Sequence, residues 1–265
     1  MTTIPTPRTQ AERADQTRSR ILEAAVRQFS DNGLAGARTE QIAEEAGVNK
    51  ALLYYYFKSK DALYDAALEL VAEGVRKSSL AVLEGPTSEG ERYLHSVLNH
   101  FDRIHTNRPF QRMMQQEMMR LQSGERNALV PMNNLSPLVE MVFRPIMERT
   151  LQVLNEGIAS GELIPTDPAQ IQYAATGANV FYFVSAPFMK IIQGSDPMER
   201  SALEFRRNAA IEYLGQALFV DRRHGAEVAA RVLAESPMPA DGGSAQRATS
   251  HLETRWKAIS KLNKR

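Results

Sequence analysis

The sequence contains no cysteine among its 265 residues. This absence excludes disulfide bonds, thiolate metal ligands and cysteine nucleophiles. A long hydrophobic run is also missing, because the longest apolar stretch, residues 178–189, is too short to span a bilayer and contains Pro187. The N-terminus lacks the apolar segment of a secretory signal peptide. Together these absences predict a cytoplasmic protein with no membrane partner.

An excess of one charge sign is missing as well. The formal net charge is +1, with 24% charged and 43% hydrophobic residues, which is ordinary for a soluble globular chain. The chain is therefore not a polycation, and any affinity for nucleic acid must come from the local placement of a few cations.

Catalytic and metal-binding motifs are absent from the sequence. It has no G-x-S-x-G, no H-E-x-x-H and no glycine-rich loop of the kind that cradles phosphates. His95, His100 and His105 are spaced five apart, so on a helix they do not share the face that a zinc site requires. We expect a protein that is not an enzyme and that has no cofactor and no metal site.

The sequence also lacks the alternating patterns and hairpin signals of strands, which predicts an all-α fold. Gly85-Pro86 is the expected boundary between an N-terminal helical domain over residues 14–84 and a second helical domain over residues 86–220. Residues 1–13 are expected to be a disordered arm, and residues 221–265 a partly helical, basic tail. Both ends could be solvated tails or could contact nucleic acid.

Residues that are typical of helix starts and ends occur at several positions in the chain. A first helix is expected over residues 14–32, with Gly33 as its stop. Asp167-Pro168 and Asp196-Pro197 each pair an N-cap acid with an N1 proline, which predicts two helix starts. A helix over residues 136–161 is expected to kink at Pro145.

Residues 39–60 have the pattern of two short helices joined by a tight turn. Thr39 is the expected N-cap of the first helix, which ends where Gly47 allows a left-handed conformation. Asn49 is the expected N-cap of a second helix over residues 50–56, and Ser59 caps the next one.

The second short helix has one face suited to a core and one suited to a DNA groove. Leu53 and Phe57, four residues apart, are expected to face inward. The residues left on the outward face are Lys50, Ala51, Leu52, Tyr54 and Tyr55. An ammonium can donate to a guanine edge, a tyrosine hydroxyl can reach a phosphate, and an aliphatic side chain can touch a thymine methyl. A helix-turn-helix also occurs in proteins that bind no DNA, and the tyrosines could pack in a core.

The larger segment, residues 21–66, resembles the DNA-binding domain of the tetracycline-repressor (TetR) family. The resemblance rests on the ILEAA start, the spacing of TEQIAEEAGV, the LYYYF core and the FKSKDAL exit. It departs from the family at Tyr56, where His is frequent, and at Leu52, where a smaller or polar residue is frequent. The resemblance implies a bacterial homodimeric regulator, most often a repressor, that binds a palindromic operator in double-stranded DNA.

The resemblance and the helix geometry together predict a DNA-binding face. Free N–H groups at a helix start favour a phosphate, and the family commonly has a phosphate-contacting lysine at the position of Lys60. The predicted DNA-binding residues are Arg38, Thr39, Asn49, Lys50, Ala51, Leu52, Tyr54, Tyr55, Tyr56 and Lys60.

The resemblance further implies an effector in the C-terminal helical domain, and methionine and aromatic side chains are dense there. Methionine adapts to apolar ligands but also fills gaps in cores. The predicted pocket, for a small apolar or aromatic effector, comprises Phe101, Met114, Met118, Phe143, Met147, Phe181 and Tyr182. The possible polar anchors are Arg103, Arg112, Gln115, Gln116 and Asn179.

Two C-terminal helices are apolar over more than one face, which favours a two-fold interface between subunits. The alternative is that both helices are buried inside one subunit. The predicted interface residues are Tyr173, Gly177, Phe181, Phe188, Ile211, Leu214 and Leu218.

A second functional hypothesis is a DNA-binding regulator or architectural protein without a small-molecule effector.

Overall fold

The computed structural model of the chain describes residues 9–122 and 139–240. The predicted all-α fold is confirmed, since regular structure in these two ranges is helical apart from an isolated bridge between Leu163 and Phe219. No helix within the described ranges combines the length and the apolar character needed to cross a membrane.

The helices follow one another with short connections. In chain order they are α1 (Gln10–Gly36), α2 (Thr39–Glu45), α3 (Lys50–Phe57), α4 (Lys60–Leu83), α5 (Glu89–Thr106), α6 (Arg108–Gln122), a π-helix (Val139–Phe143), α7 (Arg144–Ala159), α8 (Pro168–Gln193), α9 (Arg200–Leu218) and α10 (Arg222–Glu235).

The described residues form two compact units. Unit one contains residues 9–71 and 108–122, and unit two contains residues 72–107 and 139–240. This division falls inside α4 rather than at Gly85-Pro86, and it groups α6 with the N-terminal helices.

Helix α6 groups with unit one because its side chains bond to α1 and α4. Met113 is fully buried, and Arg112 forms an ion pair with Asp31 of α1. The hydroxyl of Tyr64 in α4 donates to Oε1 of Glu117 at 2.7 Å, in a buried position. Apolar and polar contacts therefore both hold α6 in this unit, although the sequence assigned residues 108–122 to the second helical domain.

Helix α1 begins earlier than predicted. Thr9 is its N-cap and forms a capping box with Glu12, whose side chain accepts from the Thr9 backbone. Residues 10–13, which were expected to be disordered, are therefore helical, while residues 1–8 of the predicted arm lie outside the described residues. The missed signal is the T-x-x-E spacing itself.

The two acid–proline pairs have different outcomes. Asp167 caps α8 as predicted, because its carboxylate accepts from the Ala169 N–H at 2.8 Å. The prediction for Asp196 is wrong, since α9 begins at Arg200 with Glu199 as N-cap. Asp196 instead accepts from the Met198 N–H at 2.9 Å and forms an ion pair with Lys190 at 2.6 Å, so it stabilises the turn before α9.

Pro145 lies in the first turn of α7, and α7 follows without a gap on a π-helix over Val139–Phe143. The proline is therefore inside a continuous helical segment, as predicted. The segment changes from π-helix to α-helix next to Pro145, which has no N–H to donate to the preceding turn.

Unit two has a large apolar core with one buried ion pair. Arg207 in α9 is almost completely buried, and its guanidinium contacts both carboxylate oxygens of Asp102 in α5 at 2.7 and 2.9 Å. The same guanidinium donates to the carbonyl of Ser236 at 2.6 Å. This bidentate pair ties three elements together, since Ser236 ends α10.

Helices α9 and α10 approach closely at two glycines. A Cβ atom at Gly215 would lie 2.6 Å from the carbonyl oxygen of Gly225, and a Cβ atom at Gly225 would overlap the carbonyl oxygen of Gly215. The crossing therefore requires two residues without side chains.

We predict that Gly225→Ala destabilises unit two by about 2 kcal/mol or more, because the added methyl meets backbone that cannot yield without moving a helix. Urea unfolding followed by circular dichroism measures the change. Gly74→Ala is the matched control: a Cβ atom there meets no heavy atom within 4 Å. It should leave stability unchanged or raise it by about 0.5–1 kcal/mol. Equal stabilities for the two variants would contradict the close approach.

Candidate functional site

Helix α3 is held in unit one by the contacts that the sequence predicted. Leu53 and Phe57 are buried, so the inward face is confirmed. The side chain of Asn49 accepts from the Leu52 N–H at 2.8 Å, which confirms it as the N-cap. Gly47 has a φ of +65°, the left-handed conformation expected at the turn.

The outward face of α3 presents Lys50, Ala51, Leu52 and Tyr55 to solvent. Lys50 forms an ion pair with Glu40 of α2. The hydrogen bond between them raises the pKa of Lys50 and lowers the pKa of Glu40. The lysine is therefore a fixed positive charge at the start of the helix.

Tyr54 is only partly exposed, and its hydroxyl has an internal partner. The Tyr54 hydroxyl lies 3.3 Å from Oγ1 of Thr39, which is buried. The prediction that Thr39 caps α2 is wrong, because Arg38 is the N-cap and Thr39 is the first helical residue. Thr39 turns its hydroxyl towards α3, so this pair connects α3 to α2.

Of the other predicted DNA-binding residues, some are exposed and others are partly buried. Arg38 is exposed, whereas Lys60 is partly buried and donates to the carbonyl of Ala35 at 3.3 Å. Tyr56 is partly buried with its ring edge-on to Tyr55, at 5.5 Å between centroids. The exposed members are therefore Arg38, Asn49, Lys50, Ala51, Leu52 and Tyr55.

The structure brings together two of the residues predicted to form an effector pocket, since the ring centroids of Phe101 and Tyr182 lie 5.9 Å apart. Met114 and Met118 belong to α6 in unit one, and Met118 is 54% exposed. Phe101 is buried against Phe183, at 4.9 Å between ring centroids, whereas Phe181 is 68% exposed. The remaining members are partly buried: Phe143, Met147 and Tyr182. Composition does not indicate which way a side chain points, so the predicted set stays a prediction.

A different cavity lies inside unit two, between α4, α5, α7 and α8. Its volume is about 40 Å³. Eight of its eleven lining residues are polar or charged: Ser79, Ser96, His100, Arg103, Thr150, Gln172, Thr176 and Asn179. Arg103 and Asn179 were among the possible polar anchors, whereas Arg112 and Gln116 lie in unit one. The cavity is polar, although the sequence favoured an apolar one.

Burial lowers the pKa values of the two titratable groups in this cavity, His100 and Arg103. It lowers the pKa of His100 to about 4, with a smaller contribution from the positive charge of Arg103. His100 is therefore neutral at pH 7, with its Nδ1 3.4 Å from the amide nitrogen of Asn179. Burial also lowers the pKa of Arg103 to about 10, which leaves its guanidinium charged.

Within the described ranges, Glu91, His95 and Glu235 bring three ligand atoms within 4.8 Å of one another. Arg231 already contacts the Glu91 carboxylate at 2.7 Å, so a cation would have to displace a guanidinium. We propose no metal site there.

The predicted dimer residues split between a surface and the core. Tyr173, Phe181 and Phe188 are exposed along α8, and so is Gly177. The α9 residues are placed otherwise, because Ile211, Leu214 and Leu218 pack into the core of their own chain. They were misassigned because α9 is apolar on two faces, and periodicity alone does not identify the inner one.

The outer face of α9 instead exposes Phe205 and Tyr213. Between α8 and α9 lies a groove of about 520 Å³, with Phe181, Phe205 and Met189 among its lining residues. Along α8 the apolar surface continues to Ile191, which is 82% exposed. We call the exposed residues Tyr173, Phe181, Phe188, Ile191, Phe205 and Tyr213 the α8–α9 face.

Comparison with known proteins identifies relatives of this chain. The family profile described as bacterial regulatory proteins, tetR family, matches residues 21–67. The HTH-type transcriptional repressor NicS of Pseudomonas putida is 49% identical over 59 residues, which cover 22% of this chain and only 28% of NicS. The HTH-type transcriptional regulatory protein RaaS of Mycobacterium tuberculosis is 32% identical over 166 residues, which cover 62% of this chain and 68% of RaaS.

A solved structure extends the comparison to the fold. A protein from Saccharomonospora viridis, in complex with choline, aligns with a TM-score of 0.60 at 17% identity. The alignment covers 76% of this chain and 97% of that one. At this identity the likeness establishes a shared helical fold.

We predict that His100 makes unit two less stable in acid. Between its ordinary pKa of 6.5 and its folded pKa of about 4, the unfolded chain binds a proton that the folded chain does not. Stability should therefore fall as pH decreases through this window, by up to about 3 kcal/mol from this group. His100→Gln should remove that part of the loss, measured by urea unfolding at pH 6.5 and 4.5.

Thr150→Val is the control for the acid effect. It alters the same cavity without removing a titrating group, so it should keep the wild-type difference between the two pH values. If His100→Gln also keeps that difference, the histidine is not the source.

Proposed function

Because the chain belongs to the TetR family of bacterial regulatory proteins, we propose that it is a dimeric, DNA-binding transcriptional regulator. We further propose that it is a repressor, released from a palindromic operator by a small molecule. The observation that carries this proposal is α3: a short helix anchored by Leu53 and Phe57 that exposes Lys50, Leu52 and Tyr55. Since its target is chromosomal DNA, the protein would act in the cytoplasm.

In this proposal α3 enters the major groove with its N-terminal residues against base edges. Lys50 exchanges its ion pair with Glu40 for a guanine edge. Ala51 and Leu52 are placed to contact thymine methyl groups, and Tyr55 is placed to contact a phosphate.

Residues around the turn would fix the register on the phosphate backbone without distinguishing sequences. Arg38 and Lys60 supply positive charge on either side of the turn. Thr39 and Asn49 would act through the backbone N–H groups at the starts of α2 and α3, where the helix dipole favours an anion. Tyr54 and Tyr56, being partly buried, would orient the neighbouring exposed side chains.

A second copy of the chain is the proposed partner of the α8–α9 face. Large exposed apolar patches such as the α8–α9 face mark interaction surfaces on proteins. Helices α8 and α9 of two subunits, related by a two-fold axis, would pack as four helices and fill the groove between Phe181 and Phe205. The symmetry would set two recognition helices about 34–36 Å apart, one turn of DNA.

Regulation would act through α4, which runs continuously from Lys60 next to the recognition helix to Leu83. Arg103 in the polar cavity donates to the carbonyl of Val75 at 2.6 Å and to Oγ of Ser78 at 2.8 Å, both in α4. A ligand in the cavity would therefore change the hydrogen bonds that Arg103 makes to this helix. Its effect is limited to its difference in affinity between the two states.

We predict that selection from a random DNA pool yields a two-fold symmetric site, and that Lys50→Ala weakens binding to it by about 1–3 kcal/mol and relaxes specificity at one base pair of each half-site. Both effects follow from losing a base-edge donor. Fluorescence anisotropy with the selected duplex and its single-base variants measures them.

Arg223→Ala is the matched control for Lys50→Ala. It also removes an exposed cation paired with a glutamate, in this case Glu227 of α10. It should bind the selected duplex like the wild type. Equal affinity and equal specificity of Lys50→Ala and the wild type would rule out α3 as the reading helix.

We predict that Phe181→Glu converts the dimer to a monomer, because the face would then bury an unpaired carboxylate. The dimer dissociation constant should rise by more than about a hundredfold. Sedimentation velocity over a range of concentrations measures it. Val220→Glu, which places the same charge at an exposed apolar residue outside the α8–α9 face, should remain dimeric. A wild-type monomer at all concentrations would refute the proposed interface.

A further inference from the structure

The polar cavity of unit two contains a cation without an anion. The Nε atom of Arg103 is buried and has no hydrogen-bond partner among the described residues. One terminal nitrogen donates to a carbonyl and to a hydroxyl, Val75 O and Ser78 Oγ, both of which are neutral. In the described ranges no ion pair is formed by Arg103 with any carboxylate.

Arg207, a buried arginine of unit two, shows what such a group ordinarily requires. Arg207 is bonded bidentately by Asp102 and also by a backbone carbonyl. An uncompensated buried charge is strongly unfavourable, and proteins normally supply a partner or shift its pKa. The pKa of Arg103 is lowered by burial alone. The contrast indicates that Arg103 can bind an anion, since the described residues do not supply one.

The rest of the lining suits an anion with hydrogen-bonding oxygens. It includes no aspartate or glutamate, so nothing in it repels negative charge. Donors remain on Gln172, whose amide has a second N–H beside the one bonded to Thr176 Oγ1 at 2.9 Å, and on the hydroxyls of Ser96 and Thr176. The side chain of His100 is neutral at pH 7 and can donate from one ring nitrogen.

The lining separates the possible anions. The cavity has a volume of about 40 Å³, which restricts the ligand to a small molecule. Propionate and phosphate have the same number of non-hydrogen atoms, so the apolar part of the lining distinguishes them: a carboxylate with a short chain can contact it, and phosphate has no apolar group to place there. The few apolar neighbours, Val97, Ile146 and Ala175, suit the methylene groups of such a chain.

We propose that the effector of this protein is a small organic carboxylate whose anionic group binds Arg103 in the cavity between α4, α5, α7 and α8. This inference rests on the proposed function and names the chemical class of its ligand. The carboxylate would compete for the guanidinium that now bonds to Val75 and Ser78, and so would change how α4 is held. Arg103 is thereby both the binding residue and the link to α4.

Isothermal titration calorimetry of the full-length protein tests the proposal with propionate, propionamide and inorganic phosphate at constant ionic strength. Propionate should bind at one site per chain, and propionamide, which has the same shape without the charge, at least about tenfold more weakly. Phosphate should bind more weakly than propionate. Equal binding of propionate and propionamide, or tighter binding of phosphate, would overturn the carboxylate class.

Variants locate the site. Arg103→Met should abolish the preference for propionate over propionamide. Arg149→Met is the matched control, because Arg149 is a partly buried arginine of the same unit that already pairs with Glu156; this variant should keep the preference. Retention of the preference in a folded Arg103→Met protein would place the anion elsewhere. If that variant does not fold, the comparison of the two wild-type titrations still decides the ligand class.

The DNA measurements separate this inference from the proposed function. With both correct, propionate should weaken binding to the selected duplex while propionamide has less effect. A protein that selects DNA but does not distinguish propionate from propionamide has the proposed function and another ligand. A protein that prefers propionate but selects no DNA has the ligand site without the proposed function.

Discussion

Helix α3 has only eight residues, so it is stable only through its contacts with the rest of unit one. Closing the first helical turn orders several residues for one hydrogen bond, so isolated helices this short do not persist in water. Helix α3 exists because Asn49 caps its start, because Leu53 and Phe57 are buried against unit one, and because the Tyr54 hydroxyl contacts Thr39. These attachments leave Lys50, Leu52 and Tyr55 exposed on the opposite face.

Unit two follows a different principle, since it buries polar and charged groups with and without partners. Arg207 has a bidentate carboxylate and therefore stabilises the packing of α5, α9 and α10. Arg103 has only neutral acceptors, and it borders a cavity. The two arginines thus differ in one contact, the carboxylate of Asp102, and its absence at Arg103 is the basis of the proposed ligand site.

Local signals in the sequence predicted the local structure well. The glycine at position 47, the asparagine cap at position 49 and the Asp167-Pro168 start are each confirmed, since each depends on the conformation of a few consecutive residues. The wrong predictions concern two expected N-cap residues whose side chains form a different hydrogen bond. Asp196 stabilises the turn before α9, and the hydroxyl of Thr39 is used by a residue fifteen positions away.

By itself, the sequence determined the all-α fold, the two short helices with their inward residues and the family, because these follow from periodicity, capping and consecutive residue types. The tertiary structure decided which face of α9 is exposed, where α6 packs and which side chains surround a cavity. Those features depend on directions in space between residues far apart in the chain. Ile211 and Phe205 are both large and apolar on one helix, and only the packing of α9 makes the first a core residue and the second a surface residue.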